Sequence, residues 1–238
     1  MKKAKLFHLK NEMLVANGIA NFIGVFLAIA LIRRAEPFPK ELLDNPVIYW
    51  TDTLFDPFGF SFVIVMTLLY EKPIRHYLNA LSRRTSISED LKLKARQRLL
   101  NEPFVLIALD FGIWVLWAII WSTIHWAYDS GTQLVQRSLY IGLSIGLITI
   151  TVAFFLLEHL LQKRLVPYFF PDGGLSAIPK TLRIRIRTRL VALLFACNLI
   201  PLISIIMTLN RILGSQHESA LALAKLQFAI NIGALVFI

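Results

Sequence analysis

Lys92-Leu93-Lys94-Ala95-Arg96-Gln97-Arg98-Leu99 places a base at every second residue and then runs into an apolar segment. Arg183-Ile184-Arg185-Ile186-Arg187-Thr188-Arg189-Leu190 repeats the pattern and also runs into an apolar segment. Bases gathered directly before a long apolar run mark the cytoplasmic mouth of a membrane-spanning helix. Alternation of Arg with Ile is formally a strand pattern, but a lone strand at a membrane surface leaves its backbone edge unpaired. Each collar is therefore expected to be helical and continuous with the span it precedes. On a helix, period-two bases spread around the cylinder, where they snorkel into a ring of phosphates. Two roles for them stay open: plain topogenic charge, or specific contact with anionic inner-leaflet lipids or a cytoplasmic domain.

The remainder of the chain agrees with a membrane setting. Of 238 residues, 56% are hydrophobic and 17% charged, and the mean hydropathy is +0.63. A soluble domain of that length cannot hide so much apolar surface. A net charge of +10 spread over a soluble surface would point to nucleic acid. Here the bases sit in a few polar connections between apolar runs, which excludes that partner. Cys197 is the only cysteine and lies in an apolar run, so a disulfide framework and a thiolate metal cluster are both excluded. A thiol in hydrocarbon also makes a poor nucleophile.

Spans are expected at about 13–32, 55–70, 103–126, 139–157, 190–209 and 226–238. For the first, a cleaved signal peptide is the rival, with Ala28-Ile29-Ala30 as a cleavage-like site. The length of the run and the immediate Arg33-Arg34 speak against it. Residues 36–52 carry Pro37, Pro39 and Pro46 and read as a loop, with Asp56-Pro57 opening the second span and Glu71-Lys72-Pro73 ending it. Ser86-Ile87-Ser88-Glu89 reads as a capping box that starts the helix of the first collar. Pro167 to Gly174 is rich in turn residues. The amino terminus has four bases, the second-to-third connection eight and the fourth-to-fifth connection seven, against six on the other side. The expected fold is thus an all-α integral membrane protein, a six-helix bundle with both termini cytoplasmic. The last run is shorter than the roughly 20 residues a span needs, so it is expected to be a truncated helix leading to a cytoplasmic output domain. Span, basic connection and span recur as a weakly repeated unit.

In the third span, Asp110, Trp114, Trp117, Trp121 and His125 recur at helical spacing and share one face. A carboxylate at the centre of a membrane helix costs about 2.5–3.5 kcal/mol on insertion scales, so Asp110 is a functional candidate. The face serves either as a ligand, quinone or proton-sensing pocket, or as packing with Asp110 hydrogen-bonded to a neighbouring helix. Gly142 and Gly146 form a GxxxG packing face, within the bundle or at a dimer interface. Asn17, Asn21, Gly24 and Ala28 make a small and polar face on the first span. Asn198 and the helix-kinking Pro201 lie midway along the fifth, and Asn231 in the last. There is no P-loop, Rossmann fingerprint, HExxH or paired-cysteine motif, so no catalytic, cofactor-binding or metal residue is expected here. His125 and His159 fall at opposite ends of their spans, which disfavours a haem held between them.

Arg96-Gln97-Arg98-Leu99-Leu100-Asn101-Glu102-Pro103-Phe104 resembles the start of the third span in bacterial membrane-bound class III adenylate/guanylate cyclases. Phe169-Phe170-Pro171-Asp172-Gly173-Gly174-Leu175-Ser176-Ala177-Ile178-Pro179 resembles their second cytoplasmic connection, and Arg187-Thr188-Arg189-Leu190 with Pro201-Leu202 is also similar. The resemblance implies six spans leading into a HAMP helix pair and a dimeric cyclase domain, in the bacterial inner membrane. It places the divalent metal and nucleoside triphosphate in that downstream domain and none in these residues. A histidine-kinase output is the related alternative, and a small transporter or channel the unrelated one, motivated by Asp110, the intramembrane asparagines, Pro201 and the repeated unit.

Overall fold

A computed structural model describes residues 3–34, 45–128 and 131–171, together with Gly173, Ile178 and Thr181. Among the described residues every element is helical. The second collar (Arg183, Arg185, Arg187, Arg189), Asn198, Pro201, Asn231 and the spans expected at 190–209 and 226–238 lie outside the described residues.

Helix α1, Lys3–Arg34, carries the amino-terminal bases and the first apolar run on one continuous element. Helix α2, Pro46–Tyr70, corrects the part of the expected loop that falls at 46–52 and the expected start of the second span at about 55, while 36–44 lie outside the described residues. Asn45 Oδ1 accepts from the Val47 amide at 2.9 Å, and Pro46 sits in the first turn, where its missing N–H costs nothing. One of the prolines read as a loop marker is thus a helix starter, and Pro57 lies inside the helix. Thr51 and Thr67 return their hydroxyls to the carbonyls of Val47 and Val63, each at 2.7 Å, and so need no water. The expected stop at Glu71-Lys72-Pro73 holds.

Beyond it lies an element the sequence reading left as connection: helix α3, Lys72–Arg83, which buries Ile74, Tyr77 and Leu78 on one face. It ends at Arg84, a left-handed residue with φ 54°. Helix α4, Glu89–Ala127, joins the first collar to the third span in 39 residues, about 58 Å of unbroken helix. Its cap is Ser88, whose side chain accepts from the Leu91 amide at 3.3 Å, rather than Ser86 of the expected capping box. Glu89 and Asp90 fill the first turn, where negative charge suits the helix dipole.

Helix α5, Thr132–Leu160, continues through a wide π turn, Leu161–Leu165, into a last helical turn, α6, Val166–Phe169. The fourth apolar element therefore outruns the expected 139–157 and takes in Pro167. Proline lacks an N–H and crowds the carbonyl four residues back, which the wide turn relieves. In it, the Val166 amide reaches Leu161 O, five residues back. The chain then turns, with Gly173 at φ 79°.

Helices α4 and α5 make the most extensive contact among the described elements, followed by α1 with α5. An inner cluster gathers Leu9 and Met13 of α1, Leu78 of α3, Leu99 of α4, Leu157 of α5 and Phe169. A second packs Trp114 against Ile141, Ile145 and Ile148. A Cβ added at Gly142 would lie 2.7 Å from Ala118 Cβ and 3.1 Å from its Cα, and one at Gly146 would lie 2.8 Å from Trp114 Cβ. The GxxxG face is therefore filled within the chain. Outside this core α2 exposes Leu54, Phe58, Phe62 and Leu69. Among the described residues Pro46–Tyr70, Glu89–Ala127 and Leu134–Phe169 are long and apolar enough to cross a membrane.

Gly142→Ala is expected to cost about 1–3 kcal/mol through overpacking against the α4 backbone. Gly18→Ala, where a Cβ meets nothing within 4 Å, is expected to be neutral or stabilising. Thermal unfolding of the two variants in lipid nanodiscs checks the contrast.

Candidate functional site

Two groups of polar side chains are buried where apolar ones would be expected. The first is the α4 face singled out by spacing. Asp110 is fully buried, Trp114, Trp121 and His125 are buried, and Trp117 is partly so. The rings climb as a ladder, with centroids 6.4 Å apart from Trp114 to Trp117, 6.0 Å from Trp117 to Trp121 and 6.0 Å from Trp121 to His125. Asn17 Nδ2 on α1 donates to Asp110 Oδ1 at 3.2 Å. Asn21, one turn further along α1, donates to the Asn17 carbonyl at 3.1 Å and lies beside the same carboxyl. The polar face of α1 and the carboxyl of α4 thus meet as a two-helix network.

A cavity of about 30 Å³ opens beside this network, lined by Asn21, Val63, Trp114 and Trp117 among others. That is room for one or two water molecules, far short of the roughly 300–1,000 Å³ of a ligand pocket. The larger hollow, about 660 Å³, is an open trough along α2 between Trp50 and Ser61, walled by that helix alone. Neither suits a quinone. Trp114 and Trp117 instead fill the space opposite Gly142 and Gly146. Among the described residues no three His, Cys, Asp or Glu side chains are placed to hold a metal.

The second group lies at the first collar. Its four bases do not form an even ring, because successive alternates fall on opposite sides of a helix and meet different neighbours. Lys92 pairs with Glu89 at 3.2 Å and Lys94 with Asp90 at 2.8 Å, both in solvent. Arg96 instead stacks over Phe170, 4.8 Å from the ring centroid. Arg98 lies 4.6 Å over the Tyr70 ring and donates to Tyr70 O at 3.2 Å, while the Tyr70 hydroxyl donates to Arg98 O at 3.1 Å. This reciprocal clamp ties the end of α2 to α4.

Directly inside the clamp sit two carboxyls, Glu71 at the expected stop of the second span and Glu102 in the stretch that carries the resemblance. Glu71 and Glu102 are each only 2% exposed, and their carboxyls lie within hydrogen-bonding reach of each other. Arg75 holds Glu71 Oε2 through Nε at 2.6 Å and Nη2 at 2.5 Å. The i,i+4 spacing of Glu71 and Arg75 was the one signal available; nothing local joins either to Glu102. Nearby, Arg164 of the π turn pairs with Glu12 of α1 at 3.3 Å, and Lys10 donates to Asn79. Burial, then the charges of Arg75 and Arg83, hold the Lys10 ammonium below the usual lysine range.

No family model, curated protein or solved structure matches the chain.

Arg98→Ala removes a cation–π contact and two hydrogen bonds and is expected to cost about 1–3 kcal/mol. Lys94→Ala removes only a solvated pair and is expected to stay within about 0.5 kcal/mol. Hydrogen exchange at the Tyr70 end of α2 should accelerate in the first variant alone.

Proposed function

We propose that the chain is the membrane anchor and signal-input region of a receptor-type signalling enzyme in the bacterial inner membrane. It has six spans and cytoplasmic termini, acts as a homodimer, and its inner surface meets anionic lipids. The output is cyclic-nucleotide synthesis by a HAMP-linked cyclase domain, as the resemblance at residues 96–104 and 169–179 implies. The observation that carries the reading is α4, which joins the buried Asp110–His125 face to the collar as one unbroken helix. A rigid rod moves its inner end whenever its outer end moves, which is what a relay requires. Among the described residues the cavity beside Asn21 and Trp114 is water-sized, which supports a packed rod over a solute path at that place.

Expression of the full reading frame in a bacterium lacking its own cyclase is expected to yield cyclic AMP or cyclic GMP in a membrane-dependent manner. Absence of both nucleotides, together with solute flux in proteoliposomes that Asp110→Asn abolishes, would overturn the reading in favour of a transporter.

A further inference from the structure

Glu71 and Glu102 carry a charge problem that the structure solves in only one way. Both carboxyls are out of water and within hydrogen-bonding reach of each other, and among the described residues one guanidinium serves them, with both of its short contacts on Glu71 Oε2. Two ionised carboxylates in hydrogen-bonding contact repel strongly, and one of them stays protonated in such a pair. With one proton the group holds an acid, a carboxylate and a guanidinium and is neutral. Without it the group is a buried net anion.

Among the described residues no other cation is placed to neutralise that anion, and Arg96 of α4 is stacked over Phe170. Arg98 of α4 is engaged with the Tyr70 ring and carbonyl. Lys10 of α1 donates to Asn79 and faces Arg75 and Arg83. Arg164 of the π turn is paired with Glu12. Tyr70 of α2 adds a neutral phenol, already donating to Arg98 O. Among the described residues Glu71 Oε1 and Glu102 Oε2 have no hydrogen-bond partner, so a second negative charge there would call on water admitted from outside.

We propose that Glu71 and Glu102 share one proton and, with Arg75, form a proton-held joint that fastens the inner end of α2 to the collar helix α4. Loss of the proton to water leaves two carboxylates against one guanidinium. The seam between Tyr70 and Arg98 then opens, because it is the side of the joint nearest solvent. The closed joint binds a proton that the open one does not, so the joint is closed at low pH and opens as pH rises. Because α4 is one helix, opening displaces the collar bases together. This device is built from α2, α3 and α4 alone and does not depend on the output proposed above.

Infrared spectroscopy of the full chain in lipid nanodiscs tests the shared proton. In an Asp110→Asn background, which removes the other buried carboxyl of α4, a protonated-carboxyl C=O band is expected at neutral pH. Both Glu71→Gln and Glu102→Gln should abolish it, since the remaining carboxylate pairs with Arg75. A spin-label pair at exposed Leu69 and Leu93, with the single cysteine Cys197 changed to Ser, tests the release. The label distance should widen as pH rises in the otherwise native chain and stay at its low-pH value in Glu102→Gln. If Glu102→Gln fails to fold, Glu71→Gln supplies the infrared comparison and the native chain the distance titration. A carboxyl band unchanged by the glutamine substitutions overturns the shared proton, and a label distance independent of pH in the native chain overturns the release.

Discussion

Two helix backbones can close on each other only where side chains leave room, and the α4–α5 contact is made at such a place. Gly142 and Gly146 face Ala118 and Trp114 at distances that admit no Cβ. With the backbones that close, the indole of Trp114 is pressed among Ile141, Ile145 and Ile148 instead of standing between the helices. The same approach orients the rest of α4. One turn before Trp114, Asp110 is turned toward α1, where Asn17 supplies a donor and Asn21 braces the Asn17 carbonyl. At the inner end, Leu99 and Leu106 enter the cluster shared with α1, α3 and the π turn.

Buried polar groups are the second constraint, and the two sites meet it differently. Asp110 receives an amide donor from a neighbouring helix, a bond of a kind that averages about 0.6 kcal/mol in measured membrane bundles. Such a network specifies how α1 lies on α4 more than it stabilises the bundle. The Glu71–Glu102–Arg75 group is ionic, and breaking one member of such a set typically costs about 3–5 kcal/mol. Its outer wall, the Tyr70–Arg98 clamp, lies one residue from the carbonyl that Pro103 leaves without its usual helical donor. A helix end held by reciprocal bonds on the outside and a charge-balanced group on the inside is defined on both faces.

What was legible in the sequence was whatever is written along one helix. Apolar runs marked α2, α4 and α5, and the basic stretch at 92–98 proved continuous with its span. The spacing of Asp110, Trp114, Trp117, Trp121 and His125 placed all five on one face, and the GxxxG announced a close approach. Proline was the ambiguous letter: Pro46 starts a helix, Pro57 and Pro103 ride inside helices, and Pro167 is absorbed by a wide turn. Helix α3 is hard to see in the sequence because its buried face is only three residues wide and Lys72, Arg75, His76 and Arg83 interrupt the apolar pattern. Glu71 and Glu102 are hard to see for a deeper reason. Each looks locally like the polar edge of an apolar run, and only the tertiary contact of α2 with α4 turns two edges into one buried group.

The π turn at Leu161–Leu165 has a consequence for how the inner end of the bundle tolerates change in length. A π turn is an α-helix carrying one surplus residue, so everything after it is rotated by about 100° relative to the helix before it. That offset aims Phe169 at Tyr77, with ring centroids 4.7 Å apart, and brings Phe170 beneath Arg96. The surplus residue is slack held in reserve at the carboxy-terminal end of α5. A chain that took up that slack would swing both aromatics off α3 and α4 without breaking a span, so the aromatic seal and the helix count are separately adjustable parts of the same fold.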